Sequence, residues 1–432
     1  METERKQDVS AARSVAFDIL RAVLTKGTPL DDALAVHDGL NLLPRRDRGF
    51  TRTIVGMTLR RLGQIDALIE TLIEKPLPRQ ATVVHDVLRL AVAELLFLDV
   101  APHAAVDSAV TMVESRGHPK FKGLVNAVLR RVSREGTERL KEFPIEMNYQ
   151  PWMIESWRAS FGAEVAHAIA EYSLTQPPLD ISVRSNPEGW AEKLEATLLP
   201  TGTLRREFDG AITGLPGFDA GGWWVQDAAA ALPAKLLGDV KGKRVFDLCA
   251  APGGKTLQLA SMGANVLAVD RSSKRLKRLE RNLERMGLRA GVAVADITGW
   301  TAPDTPEAIL LDPPCTATGT IRRHPDILHA KGIGDLNKLT TLQAKLLAKA
   351  AGMLQPGGRL VYCTCSQQSE EGEAQVARAL AELPLERDPV TVEELGGLDK
   401  LLTPDGDVRT GPHLYPELGG FDGFFIARFK RV

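Results

Sequence analysis

Alternating strand-like and helical segments in the second half of the chain constrain the fold more than any other feature of the sequence. From about Lys241 onward, short apolar runs are separated by segments with helical periodicity. The predicted strands are RVFDLCA, NVLAVD, GVAVAD, AILLD and RLVYCTC, and a long helix is predicted from about Leu336 to Leu354. This alternation predicts an α/β fold with a doubly wound, mostly parallel sheet, in which ligands bind at the carboxyl ends of the strands.

The first 140 or so residues carry a different pattern, which is helical almost throughout. Val15, Ile19 and Val23 recur at helical spacing after Ser10, which is a plausible N-cap. Further periodic runs cover residues 87–98, 104–113 and 124–132. Several amphipathic helices of this length predict a small all-α bundle.

The length of 432 residues suggests about two or three domains. Prolines and glycines are frequent between the helical part and the alternating part, and they favour short elements joined by loops. The predicted division is therefore a helical domain over residues 1–143, a small α+β connecting domain over 144–235 and the doubly wound domain over 236–432.

The composition, with 44% hydrophobic and 25% charged residues, is typical of an ordinary soluble globular protein. No apolar run is long enough for a spanning helix, and the N-terminal residues METERKQDVS lack the apolar centre of a secretory signal. These features predict a cytoplasmic protein, in which a disulfide framework is not expected. The cysteines all lie in the second half of the chain: Cys249, Cys315, Cys363 and Cys365.

Basic residues gather at both ends of the helical part, although the whole chain has a formal net charge of only −1. The members of these clusters are Arg45, Arg46, Arg48, Arg52, Lys120, Lys122, Arg130, Arg131 and Arg134. Such clusters are either solvated helix faces or contacts for the phosphates of a nucleic acid, and charge alone leaves both interpretations open.

A glycine-rich turn, DLCAAPGGKT, follows the first strand of the alternating part. Paired glycines at a strand-to-helix turn let the backbone approach a ligand closely. A phosphate-binding P-loop would need a glycine where Cys249 stands, and no GxGxxG dinucleotide motif occurs here. A nucleoside pocket remains, in which Asp270 could bind ribose hydroxyls or cap a helix, and Asp296 could hold an adenine amino group or belong to a turn.

Two cysteines follow strands that carry the remaining polar motifs. The fourth strand leads into Asp312-Pro-Pro-Cys315, and the fifth leads into Thr-Cys365-Ser. If these strands are neighbours, both thiols face one cleft. Cys363 shares a strand face with Cys365 and is interpreted as a packing residue beneath it. A zinc site is disfavoured, because a CxC pair with two distant single cysteines does not match the usual ligand spacing.

The motifs LCAAPGGKT, DPPC and TCS, in this order, resemble the RNA cytosine-C5 methyltransferase family. The helical segments ARSVAFDILRAVL, VLRLAVAELLFLD and AVDSAVTMVESRGHPKFKGLVNAVLRR resemble the NusB-like RNA-binding domain. Together with GTIRRHPD, they are similar to the bacterial small-subunit ribosomal RNA methyltransferase B type, also called Sun or Fmu-like. The resemblance implies a Rossmann-like class I methyltransferase that uses S-adenosyl-L-methionine and follows a NusB-like domain.

The resemblance also implies roles for individual residues. Cys365 is expected to be the nucleophile and Cys315 to help release the product, while Asp312 is a candidate for binding the edge of the base. Expected cofactor contacts are Cys249, Ala250, Ala251, Pro252, Gly253, Gly254, Lys255, Asp270, Asp296 and Asp312. Arg322, Arg323 and Lys255 are candidates for binding RNA phosphates. Thr316 and Ala317 stand where the family commonly has serine and glycine, so the loop shape after Cys315 stays open.

The expected reaction is methylation of carbon 5 of a cytosine in 16S ribosomal RNA, through a thiolate adduct at carbon 6. Because the base must leave its stack, a loop or locally opened region of the RNA is the expected partner, and the enzyme is expected to act as a monomer. Two alternatives stay open. One is an RNA-binding protein with an inactive methyltransferase fold, and the other is a DNA cytosine methyltransferase, which would take its nucleophile from the Pro-Pro-Cys turn.

Overall fold

The computed structural model describes residues 2–78, 81–207, 210 and 212–432. It divides into two compact units. The first contains residues 2–154, 210 and 321–330, and the second contains 155–207, 212–320 and 331–432. The three predicted domain ranges stay a prediction.

The first unit is built from helices, as its periodicity predicts. Its helices up to residue 140 are α1 (Glu2–Lys26), α2 (Leu30–Val36), α3 (Asp38–Leu42), α4 (Arg45–Arg60), α5 (Leu62–Leu72), α6 (Thr82–Phe97), α7 (Pro102–Ser115) and α8 (Lys122–Leu140). Their apolar stripes form one continuous core. Inside it, Arg13 Nε donates to Glu94 Oε1 over 2.9 Å. Ser10 lies inside α1 and does not cap it, because the helix begins at Glu2.

The segment after α8 forms short helices and a small antiparallel sheet. Its elements are α9 (Pro151–Phe161), α10 (Ala163–Ser173), β1 (Leu179–Val183), α11 (Pro187–Lys193), β2 (Thr197–Leu198), β3 (Leu204–Arg206), β4 (Trp223–Val225) and α12 (Leu232–Leu236). The strand order is β2-β3-β1-β4. Arg205 pairs with the fully buried Asp180 over 2.6 Å and donates to the carbonyl of Gly420 over 2.6 Å. This small sheet is thereby joined to the C-terminal part of the second unit.

An eight-stranded sheet forms the centre of the second unit. The elements are β5 (Arg244–Leu248), α13 (Gly254–Ser261), β6 (Asn265–Asp270), α14 (Ser273–Met286), β7 (Gly291–Val294), β8 (Ala308–Leu311), α15 (Ile327–Ala330), α16 (Ile333–Met353), β9 (Arg359–Thr364), α17 (Glu373–Glu382), β10 (Leu385–Arg387), β11 (Val408–Arg409) and β12 (Phe425–Arg431). All of these except α15 belong to the second unit. The order is β10-β12-β9-β8-β5-β6-β7, with β11 paired to β12.

Both faces of this sheet are buried, which explains why its strands read as nearly continuous apolar runs. The four pairs that connect β9, β8, β5, β6 and β7 are parallel, whereas β12 runs antiparallel to β9, β10 and β11. The prediction of a Rossmann-like, mostly parallel sheet preceded by a helical domain is confirmed. Within the part of the chain that the structure describes, no helix is long and apolar enough to cross a membrane.

Residues 321–330 leave the sheet unit and pack within the helical unit. The backbone N–H of Leu30 donates to the Asp326 carboxylate over 3.1 Å, and His329 Nε2 lies 2.8 Å from the carbonyl of Leu59. Arg60, itself buried, donates to the carbonyl of Arg322. The segment that directly follows the Asp-Pro-Pro-Cys turn is therefore part of the helical unit.

Candidate active site

Cys315 and Cys365 lie side by side at the carboxyl edge of the parallel sheet. Their Sγ atoms are 3.4 Å apart. The pair forms because β8 and β9 are parallel neighbours with Leu311 opposite Tyr362, so the chain that leaves each strand ends at the same edge. The N–H of Gly319 also donates to the carbonyl of Cys365 over 3.0 Å. The structure thus brings together the two thiols that the sequence places 50 residues apart.

Hydroxyl groups connect the two cysteine-bearing turns beneath the sulfur atoms. Thr316 Oγ1 lies 3.1 Å and Thr318 Oγ1 lies 3.3 Å from Ser366 Oγ, and all three side chains are fully buried. The N–H of Gln367 donates to Thr318 Oγ1 over 3.1 Å. Ala317 between these threonines has a φ of +60°. The loop whose shape the sequence left open is fixed by these bonds.

The protonation states of the other cysteines follow from their surroundings. The hydrogen bond with Cys365, followed by burial, raises the pKa of the Cys315 thiol well above its ordinary value. Burial raises the pKa values of Cys249 and Cys363. These thiols are therefore neutral near pH 7. Cys363 is fully buried in the apolar cluster against which Cys365 packs, which agrees with a packing role.

Lys255 and Asp312 form an ion pair next to the thiols. Lys255 Nζ donates to Asp312 Oδ2 over 2.7 Å, and the side chains are 12% and 27% exposed. Burial alone would lower the pKa of Lys255, but the negative charge of Asp312 outweighs it and the pKa is raised. The ammonium group also lies within electrostatic range of the Cys363 and Cys365 sulfur atoms. This inward position favours a role inside the site over the phosphate contact expected for Lys255.

The glycine-rich turn between β5 and α13 depends on a backbone conformation and a close packing contact that only glycine allows at position 253. Gly253 has a φ of +108°, and a Cβ atom there would lie 2.7 Å from Leu279 Cγ. The carboxylate of Asp270 supports the turn by accepting from the N–H of Ala251 over 3.1 Å. Asp270 does not cap α14, because the capping side chain is that of Ser272, which accepts from the N–H of Arg275.

Two further aspartates lie at strand ends of the same edge. Asp296 is exposed after β7, and hydrogen bonds from the hydroxyl and N–H of Thr298 lower its pKa. Asp247, near the end of β5, is fully buried and accepts from the Thr256 hydroxyl over 2.5 Å. Its Oδ1 has no hydrogen-bond partner among the described residues, and burial raises its pKa to about 7. Asp247 was not among the residues expected at the site, although an acidic residue within the apolar strand RVFDL indicates a buried carboxyl group.

The glycine-rich turn lies at the sheet edge where the sequence predicts a nucleoside-type pocket. It places backbone N–H groups at the start of α13, and Gly253 leaves room for the Leu279 side chain of α14. Asp270 at the end of β6 is 3% exposed, and its two carboxylate oxygens accept from the N–H groups of Ala251 and Ser272, whereas Asp296 after β7 is exposed.

The basic residues predicted to contact RNA differ in their exposure to solvent. The side chain of Arg322 is only 2% exposed within the helical unit, so the expectation that it contacts phosphate disagrees with its burial. Arg323 is partly exposed. Six members of the basic clusters in the helical unit are exposed: Arg45, Arg46, Arg52, Lys120, Arg130 and Arg134. Lys122 and Arg131 instead pair with Glu114 and Glu135 over 2.8 Å and 3.1 Å.

Comparison with known proteins assigns both parts of the chain to described families. The model of the family described as 16S rRNA methyltransferase RsmB/F matches residues 234–430, and that of the NusB family matches residues 10–134. The ribosomal RNA small subunit methyltransferase B of Pseudomonas putida is 34% identical over 439 residues, which cover 97% of this chain and 98% of the relative. The protein of the same name from Cronobacter sakazakii is 32% identical over 435 residues, covering 96% and 97%.

Solved structures show the same fold. The crystal structure of PH0851 superposes with a TM-score of 0.76 at 24% identity and covers 98% of this chain and 99% of that one. A methyltransferase homolog from Pyrococcus horikoshii superposes with a TM-score of 0.53 at 27% identity, covering 66% of this chain and all of that one. NSun6 from Pyrococcus horikoshii, solved with SFG, has a TM-score of 0.57 at 19% identity and covers 66% of this chain and 98% of its own.

Proposed function

Because the chain belongs to the family of S-adenosylmethionine-dependent 16S rRNA methyltransferases RsmB/F, we propose that it methylates carbon 5 of a cytosine through a covalent bond to Cys365. The observation that carries this proposal is the 3.4 Å pair of thiols beside the Lys255–Asp312 ion pair. A site for methylating an oxygen or an exocyclic nitrogen needs no such pair, since those atoms already carry a lone pair that can attack.

Carbon 5 of cytosine is a poor nucleophile, and addition of a thiolate to carbon 6 overcomes this. The Cys365 sulfur bonds to carbon 6, and the electron pair of the carbon 5–carbon 6 double bond takes the methyl group. A base then removes the proton from carbon 5, the bond between carbon 6 and sulfur breaks, and the double bond reforms. The electron pair of the broken bond returns to Cys365 as a thiolate.

The neighbouring residues have complementary roles in these steps. Lys255 places a positive charge within electrostatic range of the Cys365 sulfur. Asp312, held by Lys255, offers a carboxylate oxygen that can accept a hydrogen bond from the exocyclic amine of the base. Cys315 is a neutral thiol within hydrogen-bond distance of Cys365 and can donate to the sulfur as it departs. These roles make Cys315 a release residue and Cys365 the nucleophile.

S-adenosylmethionine supplies an electrophilic methyl group when it is bound. The residues proposed to hold it are the turn Cys249, Ala250, Ala251, Pro252, Gly253, Gly254 and Lys255, with Asp270, Asp296 and Asp312. Asp270 keeps the turn in shape through the N–H of Ala251. The positive φ of Gly253 gives the turn its shape, and the absence of a Cβ atom there leaves room for Leu279.

The proposed substrate is small-subunit ribosomal RNA in a loop or locally opened region, since a stacked base cannot reach Cys365. The exposed arginines and lysines of the helical unit are proposed to contact its phosphates. If the chain binds RNA through such phosphate contacts, its affinity for the RNA decreases as the salt concentration rises. The relatives that support this substrate class are small-subunit ribosomal RNA methyltransferases by name. We propose that one copy of the chain acts alone.

Single-cysteine variants test the mechanism. Cys365→Ala is expected to abolish both methyl transfer and covalent capture of undermethylated 16S rRNA. Cys315→Ala is expected to accumulate a protein–RNA adduct that survives denaturation. Cys363→Ala, at a buried packing cysteine, is the matched control and is expected to keep turnover. Bisulfite sequencing of the product identifies the modified cytosine.

The reverse pattern would contradict the proposal. An adduct in Cys365→Ala and none in Cys315→Ala would make Cys315 the nucleophile and favour the DNA methyltransferase alternative. A wild-type chain that binds 16S rRNA but transfers no labelled methyl group would favour the inactive RNA-binding alternative.

A further inference from the structure

Glu371 is a buried carboxylate next to the active site that the mechanism above leaves unused. It lies in a short 3-10 helix (Ser369–Glu371) after β9 and is 0% exposed. Its oxygens accept from the N–H of Thr316 over 2.9 Å and 3.1 Å, and from the Thr316 hydroxyl. Burial of a carboxylate is costly unless it is fully hydrogen bonded, so this position implies a structural or functional demand.

Glu371 and its partner Gln343 contact the backbone directly before and directly after Cys315. On one side, Glu371 binds the N–H of Thr316, the residue after Cys315. On the other side, Gln343 Nε2 donates to Glu371 Oε1 over 2.9 Å and to the carbonyl of Pro314 over 3.0 Å. The backbone positions before and after Cys315 are therefore both fixed by the Glu371–Gln343 pair.

Glu371 is itself fixed to the strand that leads to Cys365. The hydroxyl of Tyr362 donates to the Glu371 carbonyl over 2.8 Å, and that of Thr364 donates to it over 3.3 Å. Both residues lie on β9, which is paired on both sides by β8 and β12. The carboxylate thus sets the position of the Cys315 turn relative to a rigid strand.

We propose that Glu371 is a positioning residue that holds Cys315 against the Cys365 sulfur, and that this contact serves release of the methylated base. The inference rests on the proposed function, because it concerns the step assigned to Cys315. Loss of the carboxylate loosens the backbone on either side of Cys315, whereas Cys365 directly follows a strand that sheet pairing holds in place. Adduct formation and methyl transfer then continue, while breakage of the bond between sulfur and carbon 6 slows.

The test compares Glu371→Gln with the wild-type chain on undermethylated 16S rRNA transcribed in vitro, with methyl-labelled S-adenosylmethionine. Glu371→Gln is expected to lower the steady-state rate by about 10- to 100-fold, the size expected when hydrogen bonds to a buried charge are lost. The first turnover, measured with enzyme in excess, is expected to slow by less than about threefold. A denaturation-resistant adduct that carries the labelled methyl group is expected to accumulate.

The neighbouring glutamate provides a matched control. Glu370 lies in the same 3-10 helix, is partly exposed and accepts from the Ser156 hydroxyl over 3.0 Å. Glu370→Gln is expected to behave as the wild type in both rates. Thr316→Ser keeps both donors to Glu371 and is expected to release product normally. A purely structural role of Glu371 would lower both rates together and give no adduct.

A second variant keeps the inference falsifiable if Glu371→Gln fails to fold. Gln343→Met removes the donor that links Glu371 to Pro314, and it is expected to accumulate the same adduct to a smaller extent. The inference is wrong if every folded variant among these releases product at the wild-type rate, or if the first turnover and the steady-state rate fall equally without an adduct. Cys315→Ala, run in parallel, separates the two proposals. An adduct in Cys315→Ala and none in the Glu371 and Gln343 variants refutes only the role of Glu371, whereas no adduct in Cys315→Ala refutes the release step itself.

Discussion

Replacement of Asp247 by asparagine is expected to change how the stability of the sheet unit depends on pH. Asp247 is completely buried, has one hydrogen bond from Thr256 and has one oxygen without a partner among the described residues. Burial raises its pKa from 3.8 to about 7. A shift of this size disfavours the ionised form in the folded protein by about 4 kcal/mol.

The direction in which the free energy of unfolding changes with pH follows from the number of protons that the folded and unfolded states bind. Between about pH 4 and pH 7 the folded protein keeps the Asp247 proton and the unfolded chain has lost it, so the free energy of unfolding falls as pH rises through this window. The stability that this carboxyl contributes is complete below about pH 4 and lost above about pH 7. Asp247→Asn carries no charge at any pH. The variant is therefore expected to gain about 3 kcal/mol relative to the wild type between pH 5 and pH 8.

Pulsed hydrogen exchange with mass spectrometry, across a urea series at each pH, measures this quantity on a peptide that covers β5. The local readout excludes unfolding of the helical unit. Asp239→Asn is the control for removal of one negative charge at an exposed site, and its effect is expected to stay within about 0.5 kcal/mol. If the difference in unfolding free energy between Asp247→Asn and the wild type is the same at pH 5 and pH 8, the carboxyl does not titrate in this window and the reasoning fails.

The ion pair and the glycine turn each give a further prediction. Lys255→Met is expected to slow single-turnover methyl transfer by about 100-fold or more, because it removes the cation that faces Asp312 and the Cys365 sulfur; an unchanged rate would refute this role. Gly253→Ala is expected to weaken S-adenosylhomocysteine binding in calorimetry, because its Cβ would lie 2.7 Å from a Leu279 carbon at a φ of +108°. Gly352→Ala, in α16 with nothing within 4 Å of the added Cβ, is the control, so equal losses in both variants would contradict the steric argument.

The sheet and the position of the two cysteines were predictable because both depend on local pattern and a general rule of topology. The predicted strand RLVYCTC is observed as β9 (Arg359–Thr364), and Cys365 directly follows it. The parallel arrangement fixes that its end lies at the same edge as the end of β8. From the sequence, Cys315 and Cys365 could be expected to meet only if their two strands are neighbours, because strand order is decided by tertiary packing.

Other features could not be predicted because they depend on distant partners. The charged run around Arg322 has the composition of a surface loop, yet residues 321–330 pack into the helical unit and Arg322 is 2% exposed. Glu371 belongs to the run SQQSEEGE, which reads as solvated, yet its carboxylate is buried because Thr316 and Gln343 supply its donors from other parts of the chain. Polar residues can be buried where distant parts of the chain supply hydrogen-bond partners, and the local sequence pattern does not reveal those partners.

The order of strands in the sheet also separates two kinds of chemistry along one edge. The ends of β5, β6 and β7 carry the turn and the carboxylates proposed to bind the cofactor, and the ends of β8 and β9 carry the thiols proposed to bind the base. Because β5 and β8 are neighbours, Lys255 in the first turn of α13 and Asp312 directly after β8 meet at the boundary between the two halves. A methyl group that passes from cofactor to carbon 5 must cross this boundary. The Lys255–Asp312 ion pair therefore lies between the residues proposed to bind the cofactor and the residues proposed to bind the base.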